Sequence, residues 1–497
     1  MTHHTPTDEQ AAIIDAAVGT EANLLVNALA GAAKTSTLVM IAQALRADLP
    51  ILSLAFNKRI ADEMRERLPG NVKCATLNGV GHTIWGNTIG KRLVLNTKKN
   101  FECLNEALAA LRVSRADRAD FDFAETLGLI RAAKSAGYLP EGAPGTAQGL
   151  VTKEQFYASL DEEPSRLQSA LVETVLCDSI KRAYNGQIDF DDQIYMSTLY
   201  GGAFPQFPLV LVDEAQDLSA LNHRMLTRLV RKRIIAVGDP WQSIYAFRGA
   251  DTKSMPRLRA GFNMEEFTLS VSFRCPVRVV ERARQRVPHF KWRPEAVAGE
   301  VVEFREWSTA SIPDGAAIIC RNNAPLFKLA LTLLRSGRGC QLVGADIGPG
   351  LVKILRKLGP ESMKQTEVLD AIDQWEEQKL QKSRSPGAVA DRAECLRVFA
   401  RHGEDLGAAI SYAEHLFSSK GPIQLLSGHK AKGLEWDCVF CLDRWRIPSK
   451  YAETPEEIEQ EKNLEYVITT RSKFGLYFIN MNEMTELQNV SRTQEAN

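Results

Sequence analysis

Lys34 and Thr35 sit just after a short apolar run in "NLLVNALAGAAKTSTL" (23–38), where their types and spacing suggest a phosphate cradle. In the pattern G-x-x-x-x-G-K-[ST], backbone N–H groups and a helix N-terminus face anionic oxygens. The lysine reaches the β- and γ-phosphates, and the hydroxyl holds Mg²⁺. Here Ala28 and Ala33 occupy the two glycine positions, while Gly31 remains within Ala30, Gly31, Ala32 and Ala33. An alanine adds one methyl group and costs ~1–2 kcal/mol if its φ is positive. The loop is therefore impaired at worst, and taken alone it leaves both a nucleotide site and a coincidence open. "FPLVLVDEAQDLS" adds two carboxylates directly after an apolar strand. Asp213 would hold the metal, and Glu214 would orient and deprotonate an attacking water. An exposed acidic turn is the plain alternative, and it explains poorly why the pair follows five apolar residues. In "VGDPWQSIYAFRGAD" (237–251), Gln242 is placed to sense a γ-phosphate. Tyr245, Phe247 and Arg248 read either as a stacking platform for bases or as ordinary core aromatics.

Such residues need strands to present them. "NLLVNA", "ILSLAF", "LVLVDEAQD" and "RIIAVGD" are short, nearly continuous apolar runs, as in buried parallel strands. "FTLSVSF" (267–273), "GAAIICRN", "CQLVG", "DCVFCL" and "FGLYFIN" form a second group. Helical stretches at about 101–186 and 346–420 interrupt the groups, the latter split by "SRSPG" (383–387). Leu369, Ile372 and Trp375 recur at helical spacing and read as core. The expectation is two α/β sheets in sequence, each with a mainly helical insertion, and ligands beyond the carboxyl ends of the strands.

The chain has 497 residues, enough for two to four domains. No apolar run reaches the ~18 residues that span a bilayer. "MTHHTPTDEQ" has neither a basic nor an apolar leader region, so a cytoplasmic protein without a membrane partner is expected. Lysine plus arginine equals aspartate plus glutamate, 61 each, so any nucleic-acid surface must be local. "GKRLVLNTKKN" (90–100), "RLVRKR" (228–233) and "ERARQRVPHFKWR" (281–293) are candidate patches, each read first as a solvated face. Nine cysteines lack framework spacing. Cys438 and Cys441, three apart in a strand, point to opposite faces and read as buried thiols rather than a metal pair.

With these motifs in order, the chain resembles the superfamily 1 DNA helicases of the UvrD/Rep type over nearly its whole length. "TPTDEQAAI" resembles the adenine-reading Q motif, with Gln10. "LAFNKRIADEM" and "ATLNGVGH" resemble motifs Ia and Ib, and "DEAQD" and "GDPWQSIYAFRGA" motifs II and III. "LSVSFRCP" resembles motif IV, with Phe273 stacking on adenine and Arg274 on the γ-phosphate. "LLSGHKAKGLEWDCVF" resembles motif V, with Glu435 near the ribose. "EKNLEYVITTRSK" resembles motif VI, with Arg471 as arginine finger. "LAFNK", "DIGPGLVKIL" and "GHKAKGLEWD" are similar to the F-box DNA helicase branch, with no F-box region apparent. Ser36 stands where the family places an arginine against adenine, and Asn78 where motif Ib often has histidine. Lys462 and Asn463 replace an Arg-rich pair in motif VI. These departures bear on adenine affinity, turnover and processivity rather than on fold.

The resemblance implies an α/β fold of two RecA-like P-loop NTPase domains. The first would comprise 1–90 and 187–265 with helical insertion 91–186, the second 266–345 and 421–497 with a reduced insertion 346–420. It implies ATP and Mg²⁺ as cofactors and single-stranded and 3′-tailed duplex DNA as partners, with repair or recombination proteins besides. Phe56, Asn57, Thr76, Tyr245, Phe247, Arg248 and His429 are the DNA contacts it carries over. The expected activity is ATP-dependent 3′→5′ unwinding or translocation. A nucleotide-gated single-strand-binding module with weak turnover is the competing expectation, motivated by Ala33 and Ser36.

Overall fold

The computed structural model describes residues 5–111, 123–160, 163–244, 253–344, 347–381, 383 and 385–485. The chain divides into two units, 1–28 with 33–269 and 29–32 with 270–497. Each holds a six-stranded parallel sheet with helices.

In the first unit, β1 (Leu24–Ala28), β2 (Ile51–Ala55) and β3 (Val72–Thr76) precede a helical segment. That segment is flanked by the two-residue strands β4 (Val94–Leu95) and β5 (Gln187–Ile188), which pair with each other. β6 (Phe207–Val212), β7 (Val230–Gly238) and β8 (Glu265–Leu269) complete the sheet in the order β3-β2-β6-β7-β1-β8. The central strands are apolar on both faces because helices cover both faces. Leu24, Val26, Leu52, Val210, Leu211, Ile235 and Val237 are all buried. Burial of each such side chain contributes roughly 1.5–3 kcal/mol. The intervening helices include Lys99–Ala110, Phe123–Ala136, Lys153–Ala158 and Arg166–Tyr184. Two of these starts are fixed by capping boxes, Thr152 with Gln155 and Ser165 with Gln168.

The second unit holds β9 (Val271–Ser272) paired with β10 (Lys291–Trp292). Its sheet is built from β11 (Glu300–Glu303), β12 (Ala317–Cys320), β13 (Cys340–Leu342), β14 (Ile423–Ser427), β15 (Trp436–Leu442) and β16 (Ser472–Ile479), ordered β11-β16-β15-β12-β14-β13. Four helices, Ile347–Leu358, Gln365–Leu380, Pro386–Ala400 and Leu406–Ser418, lie between β13 and β14. Phe399 and Phe417 of these helices cluster with Phe327 of the helix Asn323–Arg335, and Ile372 is buried in the same core, with Leu369 and Trp375 partly buried against it.

Three expectations change. "FTLSVSF" is not one strand of the second sheet. Glu265–Leu269 pairs with β1 at the edge of the first sheet, while Val271 and Ser272 belong to the small β9–β10 pair. "RLVRKR" is not a wholly solvated face, since Arg233 is buried and donates to the carbonyls of Ala16, Ala17 and Ala22. Nor is "GKRLVLNTKKN" wholly solvated, because Lys99 is fully buried against Asp192. Among the described residues no helix is long and apolar enough to cross a membrane.

Candidate nucleotide and nucleic-acid sites

In the first unit the helix Lys34–Ala44 begins at Ala33, an N-cap with no side-chain acceptor, at φ 58° and ψ 39°. A capping side chain would compete for the N–H groups of the first turn. Ala33 leaves that helix end suited to an anion. Ala33 holds a left-handed conformation that suits glycine. Ala33→Gly removes ~1–2 kcal/mol of strain and adds ~0.5–1 kcal/mol of backbone entropy cost. The variant is therefore expected to gain about 0.5–1 kcal/mol in urea denaturation, and a loss of stability would contradict the strained geometry.

Lys34 Nζ lies 3.3 Å from Glu214 Oε2. Burial alone would lower the Lys34 pKa, but Glu214, Asp239 and Asp213 outweigh it and hold it above its ordinary value. Burial, then the charge of Glu214, pushes the Asp213 carboxyl up to about 6, and burial pushes Asp239 up to about 6. Three carboxylates around one ammonium leave an anionic excess. Thr35 Oγ1 donates to Asp213 Oδ2 at 2.7 Å, which brings together the two groups expected at the metal. The residues present therefore fit a magnesium-bound nucleotide. Among the described residues no group of three or more His, Cys, Asp or Glu could hold a metal ion by itself. Thr35 and Asp213 are the residues that would hold a magnesium ion here.

Glu214 has φ 51°, a strained backbone that sequence reading missed. Its carboxylate accepts from Gln216 Nε2 at 2.6 Å, and Gln216 Oε1 accepts from the Asp239 N–H at 2.9 Å. Gln216 thus ties Glu214 to the end of β7. Gln242 is buried and donates to Asp239 Oδ2 at 2.7 Å. Gln10 is buried in a capping box with Thr7 and donates to Thr37 Oγ1 at 3.0 Å, which places it over the helix Lys34–Ala44. Ser36 Oγ accepts from Arg67 at 3.1 Å, so an arginine 31 positions on reaches this place.

Residues Leu29–Ala32 group with the second unit. Ala30 N–H donates to the Tyr466 hydroxyl at 3.0 Å, Ser272 Oγ donates to Ala30 O at 2.9 Å, and Phe273 N–H donates to Gly31 O at 2.9 Å. Gly31 has φ +71°, and a Cβ there would lie 2.7 Å from Arg274 Cβ and Ser272 Oγ, so only glycine fits. Arg274 Nε lies 2.5 Å from Glu435 Oε2, so the two groups expected at γ-phosphate and ribose pair with each other. Arg471 is buried and donates to the carbonyls of Val467 and Leu434.

Of the residues expected on DNA, Asn57 and Thr76 are helix N-caps, accepting from Ile60 and Gly79. Phe56 is 55% exposed, and His429 is half-buried beyond the end of β14. Tyr245, Phe247 and Arg248 lie outside the described residues. Asn78 Nδ2 donates to the carbonyl of Phe190 at 3.1 Å, and the Phe190 side chain is 56% exposed, an exposure that sequence reading did not single out. An apolar residue among aspartates, in "IDFDDQ", was the available signal.

Residues 7–263 match the family model of the UvrD/REP helicase N-terminal domain, and residues 398–483 that of the UvrD-like helicase C-terminal domain. F-box DNA helicase protein 1 of Schizosaccharomyces pombe is 24% identical, over 94% of this chain and 56% of its own length. F-box DNA helicase 1 of Gallus gallus is 26% identical, over 94% of this chain and 48% of its own. The ATP-dependent DNA helicase PcrA of Bacillus subtilis is 24% identical, over 65% and 49% respectively. The chain thus spans about half the length of these relatives.

Proposed function

The chain belongs to the UvrD/Rep helicase family, and we propose that it is an ATP-dependent DNA helicase or single-strand translocase moving 3′→5′, acting in repair or recombination. The observation that carries this reading is the convergence of Lys34, Thr35, Asp213, Glu214, Asp239 and Gln242 at the carboxyl ends of β1, β6 and β7, beside a helix start without a cap. Lys34 grips the terminal phosphates, and the helix start orients them. Thr35 and Asp213 would hold magnesium, whose charge would neutralise phosphate oxygens. Glu214, aimed by Gln216, takes the proton of the attacking water. Gln242 lies next to Asp239 and reads the state of the terminal phosphate. Motif order supports assigning Arg274 and Arg471 to the same nucleotide, Phe273 to adenine and Glu435 to ribose. Binding would require Arg274 to leave Glu435. Phe56, Asn57, Thr76 and His429 would meet single-stranded DNA by stacking and phosphate contacts that are indifferent to sequence.

The strained Ala33 and the substituted Ser36 favour a second reading, a nucleotide-gated single-strand clamp with weak turnover. Steady-state ATP hydrolysis with and without single-stranded DNA separates the two. The helicase reading expects stimulation of at least about tenfold, corresponding to ~1.4 kcal/mol, and displacement of 3′-tailed but not 5′-tailed duplexes. Hydrolysis that DNA leaves unchanged, with no strand displacement, would defeat it. A large gain in turnover on restoring glycine at Ala33 would favour the clamp.

A further inference from the structure

We propose that Trp445 is a base-stacking site for single-stranded DNA, held out to solvent by a strained and anchored turn at the carboxyl end of β15. The proposal rests on the reading above that the chain works on single-stranded DNA. It assigns a residue that no motif covers.

Trp445 is 63% exposed, while Phe440, Leu442, Phe478 and Ile479 of β15 and β16 are buried. Its exposure is not that of a loose loop. Asp443, immediately after β15, has φ 51° and ψ 52°, a left-handed conformation that a non-glycine residue holds only when its surroundings over-determine it. Those surroundings are clear. Asp443 is buried, its N–H donates to Ile479 O at 2.9 Å, and its Oδ1 accepts from Met481 N–H at 2.9 Å. Its Oδ2 lies 3.3 Å from Arg446 Nε. The turn Arg444–Arg446 is thereby pinned to the end of β16.

The flanking arginines back the indole. The Arg446 guanidinium stands 4.7 Å from the Trp445 ring centroid and is held by Glu394 at 3.0 and 3.2 Å. Arg444 is held by Glu465 at 2.7 Å and lies over the Phe478 ring. A fixed cation stands over the indole ring, and the side chain is still 63% exposed. An exposed aromatic fixed in this way loses little conformational entropy when it meets a flat partner. A nucleobase is such a partner, because every base has a π-face.

The location favours DNA. In this parallel sheet the carboxyl ends of β12, β14, β15 and β16 share one edge, where ligands of such sheets bind. His429 follows β14 on that edge, and Lys450 lies five residues after Trp445. Because Glu394 and Glu465 already pair with the two arginines, the contact is one of stacking rather than phosphate neutralisation. That gives it a distinctive signature.

The test is fluorescence anisotropy of a labelled oligo(dT) with the full chain at several salt concentrations. Trp445→Ala and Trp445→Leu are expected to weaken binding by about 5- to 30-fold. Trp445→Phe should stay within about threefold of wild type, since a phenyl ring still stacks. The slope of log K against log[salt] should be unchanged in all three, because no phosphate contact is lost. Binding by Trp445→Ala and Trp445→Leu within twofold of wild type overturns the proposal, as does a changed slope or a Phe variant as weak as alanine. Normal oligo(dT) binding with failed duplex unwinding also overturns it, and moves Trp445 to a duplex or protein contact. Wild-type protein that does not bind oligo(dT) refutes the broader DNA reading as well, so the two failures are distinguishable. Equal urea midpoints for the leucine and phenylalanine variants confirm that the difference is in binding rather than folding.

Discussion

Glu214→Gln is expected to lower DNA-stimulated ATP hydrolysis by about 10²–10⁴-fold, the range for losing a positioned general base, with ATP and single-stranded DNA still expected to bind. Glutamine keeps the shape and can still hydrogen-bond Gln216 after an amide flip, but it cannot take a proton. The binding groups persist. Lys34 loses one of its three carboxylate neighbours and keeps Asp213 and Asp239, so it remains charged and able to grip phosphate. Thr35 and Asp213 keep their 2.7 Å contact. The left-handed backbone at residue 214 is unchanged, so the side chain still leaves the strand end in the same direction. Single-turnover hydrolysis, beside equilibrium binding of a fluorescent nucleotide, makes the distinction. Hydrolysis at the wild-type rate would remove Glu214 from the mechanism. Lost nucleotide binding would make it a structural partner of Lys34 instead.

The sheets and the clustering of Lys34, Thr35, Asp213 and Glu214 were largely legible because both depend on local order. A parallel strand buried on two faces is a continuous apolar run. A strand that ends in acid, or a loop that ends in Lys-Thr, delivers chemistry at a known edge. β3 and β11 lacked that signal, since Val72–Thr76 carries a lysine and Glu300–Glu303 begins and ends with glutamate. Ser270 concealed the change of sheet between β8 and β9, since "FTLSVSF" alternates like one strand throughout. Backbone angles were legible only where the loop pattern called for glycine, as at Ala33, and not at Glu214. Ala33 and Glu214 are ordinary letters whose left-handed conformations follow from the loop they occupy. Long-range pairing was least legible. Arg67 reaches Ser36 across 31 positions, and Arg233 reaches the carbonyls near residue 17 across more than 200.

The same blindness concealed two buried lysines, and the second large effect is expected there. Lys134 has no exposed side-chain surface. It donates to Asp189 at 2.6 Å, Asp192 at 2.7 Å, Ser179 at 2.9 Å and Asn100 at 3.2 Å. Lys99 donates to the other Asp192 oxygen at 2.6 Å. Two cations and two carboxylates balance, and they join helices Lys99–Ala110, Phe123–Ala136 and Arg166–Tyr184 to the turn that presents Phe190. Lys134→Met keeps the bulk but leaves two carboxylates facing one lysine. Breaking a buried pair in this way costs about 3–5 kcal/mol, read as a lower urea midpoint. Adding Asp189→Asn restores the charge balance and should recover at least half of the loss. Acidity supplies a second check. Burial alone would raise the Asp192 carboxyl, but Lys134 and Lys99 outweigh it and hold its pKa at about 2, below the ordinary 3.8. A depressed carboxylate contributes stability that is complete above its unfolded pKa and is lost as pH falls through the folded one. The wild-type contribution should therefore fade between about pH 4 and pH 2, and the gap between wild type and Lys134→Met should narrow over the same window. A gap that stays constant down to pH 2, or a variant as stable as wild type at pH 7, would mean that packing rather than charge holds this junction together.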